Sequence, residues 1–448
     1  MKNICIFRAV HVRSGIFARV LPLAAISLTA LLPVACSQPE IRTELPVRQT
    51  LQPLSPVGEA RGLFPGRVAW SYAPGAARWD GGDGFWFLDG CNSQEACDWL
   101  VGSALCTLTG TGSAAEAWSV LFTSANSSRS RVGRGYVAGE TVTIKINNNN
   151  TYSHADNEEI NASPQLVLAL LKSLVGQGGV PQSDIIVAEP SRFITDYLFD
   201  KCHAAFPDVR YVDNAGGDGR VKSEYEADAM AYSQDNGPLA RGISTAFTEA
   251  DYVINMALLK GHVGQGVTLC GKNWYGTMSI HADWRKNFHN NFNQSRDGAA
   301  KYITFVDFMG HEDLGGKCML YLVDGLYGCR NVGGKPGPKW QMQPFGGDWP
   351  CSLFASQDPV AIDMVGVDFL TNEFPDMPDV DYSDMYLSEA AQAGNAPSGT
   401  VYDPEGDGTP VGSLGVAEHW DNADDKRYSR NLGRDAGIEL VRTEKDFR

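Results

Sequence analysis

Apolar positions along the chain fall into short runs separated by amphipathic stretches. Residues 141–146 (TVTIKI), 184–188 (DIIVA), 209–212, 252–257 (YVINMA) and 319–323 (MLYLV) are runs of strand length, rich in β-branched residues. Between the first two, the spacing widens to that of a helix. Ser163 and Pro164 stand where an N-cap and a first-turn proline belong, Leu166, Leu168, Leu170, Leu171 and Leu174 supply the apolar residues, and Gly176 and Gly178 end the run. Residues 194–206 and 359–370 predict two more helices, 66–71 a strand that opens the folded part, and 98–124 two helical pieces broken at Thr109-Gly110-Thr111-Gly112. Strands alternating with helices imply βαβ units. The expected fold is therefore α/β: a mostly parallel sheet flanked by helices, in a single large domain with loop insertions over residues 61–448.

One run does not fit this rhythm. Val20 to Ala35 is almost wholly apolar, follows Lys2, Arg8, Arg13 and Arg19, and no acidic residue precedes Glu40. A basic stretch followed by an apolar one is the pattern of a cleavable export signal, and it is shorter than the roughly 20 residues that a spanning helix needs. Residues 1–35 are expected to be that signal. Ala35-Cys36-Ser37 matches the end of a bacterial lipoprotein signal, which makes Cys36 the expected lipidation site; ordinary cleavage is the alternative. Ser37 in place of Asp favours the outer membrane, so an outer-membrane lipoprotein on the periplasmic or surface face is expected, with a soluble periplasmic or secreted protein as the alternative. Residues 36–60, with Pro39, Pro46, Pro53 and Pro56, read as a tether. Of the ten cysteines, eight remain beyond Cys5 and Cys36. An even count in an exported chain predicts disulfides, with Cys91–Cys97 and Cys329–Cys351 as the favoured pairs. There is no C-x-x-C, so zinc-ribbon and thioredoxin-like readings lack support.

Charge narrows the partners. The formal net charge is −16, and it falls to −20, 33 basic against 53 acidic residues, once residues 1–35 are removed. A nucleic-acid partner needs a basic footprint and is excluded. Membrane contact is expected only through the N-terminal lipid. An anionic substrate would have to be met by a few local lysines and arginines.

Those residues sit at strand ends. Lys145-Ile-Asn147-Asn-Asn-Asn150 ends the first central strand, Glu189-Pro190-Ser191 the second, Lys260-Gly261-His262 follows YVINMA, and Asp324-Gly325 ends MLYLV. In open α/β sheets ligands bind outside the carboxyl ends of strands. Residues 260–290 are the densest stretch, carrying Lys260, His262, Lys272, Asn273, His281, Asp283, Arg285, Lys286 and His289 among glycines. Gly266 to Lys272 fits G-x-x-x-x-G-K, but Asn273 follows in place of the Ser or Thr that binds magnesium, so a nucleotide site is not expected; a carboxylate, phosphate or sulfate held by Lys272 is. His262 is the expected general acid or base. His262, His281, Asp283 and His289 are an alternative metal set, although separations of 19 and 8 form no established signature. Trp274, Tyr275 and Trp284 could stack on a sugar ring or pack in the core. Asp403-Pro-Glu-Gly-Asp407-Gly408 reads as a polar turn, because Leu414 stands where a calcium loop has Glu. Glu418-His419-Trp420 is a secondary candidate site against a packing role.

Lys145-Ile-Asn147, the Ser163-Pro164 helix start, Asp251 to Asn255, Lys260-Gly-His262 through Gly271-Lys272-Asn273, Val323-Asp324-Gly325 and Ser356-Gln-Asp358-Pro359-Val-Ala-Ile-Asp363 resemble the bacterial and archaeal family called domain of unknown function 362. The resemblance covers about residues 66–372, leaving 373–448 as a C-terminal extension. It implies Lys145, Asn147, Lys260, His262, Lys272, Asn273, Asp324, Asp358 and Asp363 as site candidates, with a helix-cap role as the alternative for Asp358. The chain has Ile146 where the family usually has Pro, and it lacks the ferredoxin-like cysteines of some members, so electron transfer is not expected.

Together these readings lead to an enzyme outside the cytoplasm acting on a small anionic or polyhydroxylated substrate, a sugar acid or an oligosaccharide. Lys145, Lys260 and Lys272 would hold the anion, and His262 would transfer a proton with Asp324 or Glu189 assisting. Asn147, Asn273, Arg285 and Trp284 would complete the binding set. Isomerase or epimerase and lyase or hydrolase chemistry stay open. The alternatives are a lipid-anchored binding protein without chemistry and a metal- or cofactor-dependent isomerase or oxidoreductase. No cofactor is named by the sequence.

Overall fold

Val142–Lys145 (β2) is buried along its whole length, as are Ile185–Glu189 (β3) and Tyr252–His262 (β6). Strands buried on both faces are the mark of a parallel sheet covered by helices. The computed structural model describes residues 51–234, 240–279 and 302–448. The expected export signal, Cys36, and His281, Asp283, Trp284, Arg285 and His289 lie outside the described residues.

The remaining strands of the sheet are Arg67–Tyr72 (β1), Arg210–Asp213 (β4), Val221–Lys222 (β5), Gly266–Thr268 (β7), Cys318–Cys329 (β8), Ser352–Ser356 (β9) and Glu439–Glu444 (β10). The order across the ten-stranded sheet is β10-β1-β9-β8-β6-β2-β3-β4-β5, with β7 paired to β6. From β8 through β6, β2, β3 and β4 to β5 every pairing is parallel; β9 is antiparallel to both its neighbours. This is the expected mixed α/β domain with a mostly parallel sheet flanked by helices.

The helices start where the local chemistry directs them. Ser93 accepts from Ala96 N to cap Gln94–Thr109 (α1), and Ser113 accepts from Glu116 N to cap Ala114–Ser128 (α2). Gly110, at φ 67°, ends α1 in a left-handed conformation. Pro164–Gly176 (α3) begins with its proline as expected and buries Leu166, Leu170, Leu171 and Leu174. Asp196–Ala205 (α4) follows β3. Cys270–Asn273 (α5) and Thr304–Gly310 (α6) are short, while Pro359–Glu373 (α7) and Asp381–Ala391 (α8) pack on each other. No helix among the described residues is long and apolar enough to cross a membrane.

Four expectations change. The 252–257 strand runs on to His262, because β7 folds back and pairs Gly266 with His262, Val267 with Gly261 and Thr268 with Lys260. The lysine–glycine–histidine segment is thus sheet. Residues 57–58 pair with 416–417, and Leu54 N donates to His419 O at 3.0 Å, so the last part of the expected tether is bound to the domain. The disulfides are absent: all eight cysteines among the described residues are free. The Cys91 thiol donates toward Phe85 O and Cys97 is buried in α1, while Cys329 and Cys351 donate toward Lys335 O and Ala77 O, and neither expected pair is bonded. Glu418 and His419 take a packing role. Glu418 accepts from Ser429 N and Oγ and from Ile438 N, and His419 lies between Asp368 (Nδ1 to Oδ1, 2.5 Å) and Asp384 (Nε2 to Oδ1, 3.3 Å).

Candidate functional site

From β2 the chain proceeds outward to β3, β4 and β5, then returns to place β6 on the other side of β2. The strand order therefore reverses between β2 and β6, and at such switch points the loops diverge and leave a crevice at the carboxyl ends. A cavity of about 360 Å³ lies there, with Lys145, Glu189, Arg192, His262, Lys272 and Asn273 in its wall.

Its floor is a hydrogen-bonded frame. Lys145 Nζ, at the end of β2, donates to Glu189 Oε2 at 3.0 Å and to Asn273 Oδ1 at 3.2 Å. Glu189 also accepts from Asn148 N at 2.8 Å and Ser191 Oγ at 3.1 Å, so both carboxylate oxygens are engaged. Asn273 Nδ2 donates to Asn255 Oδ1 at 2.8 Å, and Asn147 Nδ2 donates to Asn273 Oδ1 at 2.9 Å. Asn273 is delivered by α5, whose first amides, Cys270 N and Gly271 N, each donate at 2.8 Å to the Asp363 carboxylate of α7. Gly276 follows closely: a Cβ there would lie 2.6 Å from Glu189 Oε1 and 2.8 Å from Lys145 Nζ.

The electrostatics are those of buried, crowded cations. Burial lowers the Lys145 and Lys260 ammonium pKa values, Lys260 down to about 8. Lys272 is pulled down to about 7, by burial first and then by Lys260, Arg192 and Lys145. Its Nζ also sits 5.2 Å from the centroid of the Tyr275 ring. His262 Nδ1 lies 2.6 Å from Val263 O, a carbonyl that can only accept, so Nδ1 carries a proton and Nε2 is the basic nitrogen of the neutral ring.

Of the residues singled out in the sequence, Lys145, Asn147, Glu189, His262, Lys272, Asn273 and Tyr275 meet at this cavity. Lys260 does not line it; its Nζ points to Ile160 O at 3.5 Å from behind the wall. Asp324 is likewise outside the lining, because its carboxylate accepts from Ser163 N at 2.9 Å and Leu326 N at 3.0 Å and so holds the entry of α3. Asp358 caps α7 through Val360 N and Ala361 N, and Asp363 pins α5. Burial raises all three of these carboxyls to about 6. Trp274 is a core residue set edge-on to Phe247 and Tyr321. No cluster of three or more His, Cys, Asp or Glu side chains suited to a metal occurs among the described residues, and the other three members of the expected metal set lie outside them. The sequence reading missed Arg192 and Thr268. Arg192 stands next to the quoted Glu189-Pro190-Ser191 with no local pattern to mark it, whereas Thr268 lies inside the Lys260-to-Asn273 stretch of the family resemblance without being singled out there.

The family model described as Domain of unknown function (DUF362) matches residues 142–368. The chain belongs to this family. No curated protein and no solved structure matches it. In this DUF362 protein the matched residues open at β2 and close within α7, so they contain the Lys145–Glu189 pair, the Asn255–Asn273 contact and Asp363.

Proposed function

We propose that this protein is an exported, lipid-anchored enzyme that acts on a small anionic, hydroxylated substrate, a sugar acid or a charged oligosaccharide, by lysine- and histidine-assisted acid–base chemistry. One observation carries the reading: Lys145, Arg192, Lys272 and His262 share the wall of one cavity at the topological switch point. Lys272 and Arg192 hold the anionic group. His262 Nε2 takes or returns the proton, with Nδ1 tied to Val263 O. Lys145, fixed by Glu189, positions Asn273 beside the substrate. Export and lipidation rest on the basic and apolar N-terminal pattern and on Cys36.

The test is incubation of the purified protein with sugar acids and acidic oligosaccharides in deuterated water, read by mass spectrometry. Deuterium in an otherwise unchanged mass indicates isomerisation or epimerisation, and new smaller masses indicate lyase or hydrolase chemistry. His262→Ala should abolish either signal. Full turnover by His262→Ala would remove the acid–base role, and a ligand bound and always returned unchanged would make the protein a binder.

A further inference from the structure

We infer that Asn147 is a specificity-determining residue: its side-chain carbonyl selects, among small anions, those that carry their own hydrogen-bond donor, as hydroxylated acids do. The inference rests on the anion-binding reading of the same cavity.

The orientation of each amide in the wall follows from groups whose polarity is not negotiable. An ammonium only donates, so the Asn273 atom that faces Lys145 Nζ at 3.2 Å is the oxygen. The other end of that amide, Nδ2, faces Met256 O at 3.3 Å, which only accepts, and Asn255 Oδ1 at 2.8 Å. Asn255 is fixed in turn, because its Nδ2 donates to Cys270 O at 3.0 Å. Asn147 meets Asn273 Oδ1 at 2.9 Å and must present Nδ2 to it; a flipped amide would set two acceptors against each other. Lys145 thereby dictates, through Asn273, that the group left over on Asn147 is an acceptor.

That acceptor is unsatisfied. Asn147 is 4% exposed and lines the cavity, and its Oδ1 is buried without a hydrogen-bond partner. Thr268 Oγ1, on the same wall, is a second buried polar atom without a partner. Leaving a buried acceptor unpaired is costly, and most such groups are satisfied by protein, water or ligand. A plain carboxylate or sulfate brings only acceptors and cannot serve Asn147. A hydroxylated acid gives its charged end to the cations and an O–H to Asn147 Oδ1.

The test uses two pairs of probes matched in length, gluconate against hexanoate and glycerate against propionate, titrated calorimetrically into the wild-type protein and Asn147→Ala. The wild type is expected to prefer the hydroxylated member of a pair by about tenfold or more. Asn147→Ala is expected to bring that preference to within about twofold, chiefly through loss of affinity for the hydroxylated member. Equal wild-type affinity for both members of each pair would overturn the inference and leave the anion reading standing, as would an Asn147→Ala protein that weakens both members alike. Failure of the wild type to bind any of the four would overturn the anion reading itself. A crystal structure of the wild type with gluconate needs no variant. A ligand hydroxyl on Asn147 Oδ1 supports the inference, and an Oδ1 without ligand contact overturns it.

Discussion

Lys145 and Asn273, 128 residues apart in the chain, meet at 3.2 Å. The contact joins the end of a buried strand to a four-residue helix and sets which atom of Asn273 faces which neighbour. Glu189 completes the arrangement by holding the same ammonium at 3.0 Å, with side chains 1% and 2% exposed. A pair so deeply buried is worth little against an apolar substitute, but removing one partner strands the other charge.

Lys145→Met is therefore expected to destabilise the protein by about 3–5 kcal/mol, because Glu189 keeps its burial and loses its cation. Glu189→Gln in the same chain should recover part of that loss. Denaturant unfolding of the two single variants and the double variant measures the coupling; additive losses would contradict a direct pair.

Anion affinity should fall as pH rises through about 7 to 8, the range in which Lys272 and then Lys260 lose their protons. The stability effect has the opposite sign. Both lysines bind fewer protons folded than unfolded between these values and the ordinary lysine value of 10.5, so their contribution to stability rises with pH across that window. Calorimetric titrations of gluconate from pH 5.5 to 9 check the first statement, and an affinity that is flat or rising would contradict it.

Gly276→Ala should damage the site more than the fold. The added methyl has no room beside Glu189 Oε1 and Lys145 Nζ, at 2.6 and 2.8 Å, and those groups must move apart to admit it. Loss of turnover or anion binding with a melting temperature lowered by only a few degrees is the expected outcome. Wild-type binding and turnover would show that the pair need not keep its place.

Outside the cavity lining, His419 stands between two carboxylates, and hydrogen bonds to Asp368 and Asp384 raise its pKa to about 10 against the lowering effect of burial. A raised folded-state value means that its stabilisation is complete below about 6.5 and is lost as pH rises through about 10. Thermal melts from pH 7 to 11 should show a decline that His419→Gln lacks, and parallel declines would contradict the clamp.

Much of the fold was legible because its parallel strands are buried on both faces and so appear as plain apolar runs. The helix starts at Pro164 and Pro359 were legible because N-cap and first-turn chemistry is local. The strand Ser352–Ser356 was not, since its polar ends are satisfied by distant partners: Ser356 Oγ donates to Arg67 O and Ser352 Oγ accepts from Trp70 Nε1. The edge strand Glu439–Glu444 is only half-buried and carries little apolar signal. At the site, Lys145, Asn147 and Glu189 showed themselves as polar residues at strand ends, and Asn273 as part of the dense polar stretch of residues 260–290. Lys260 and Asp324 looked the same in sequence and point elsewhere, because the direction of a side chain depends on pairing that only β7 and α3 reveal. Arg192 entered the cavity through a turn held by its own bond to Asn149 O at 2.8 Å, which no spacing announces.

The most direct measurement of the central claim is the calorimetric titration of gluconate into wild type and Lys272→Met at pH 6.5 in low salt. Wild-type binding that Lys272→Met weakens by at least about tenfold, the loss of one charge-assisted contact, is the expected result, with the variant melting no lower than the wild type. Equal binding by the two proteins, or none by the wild type, would contradict it.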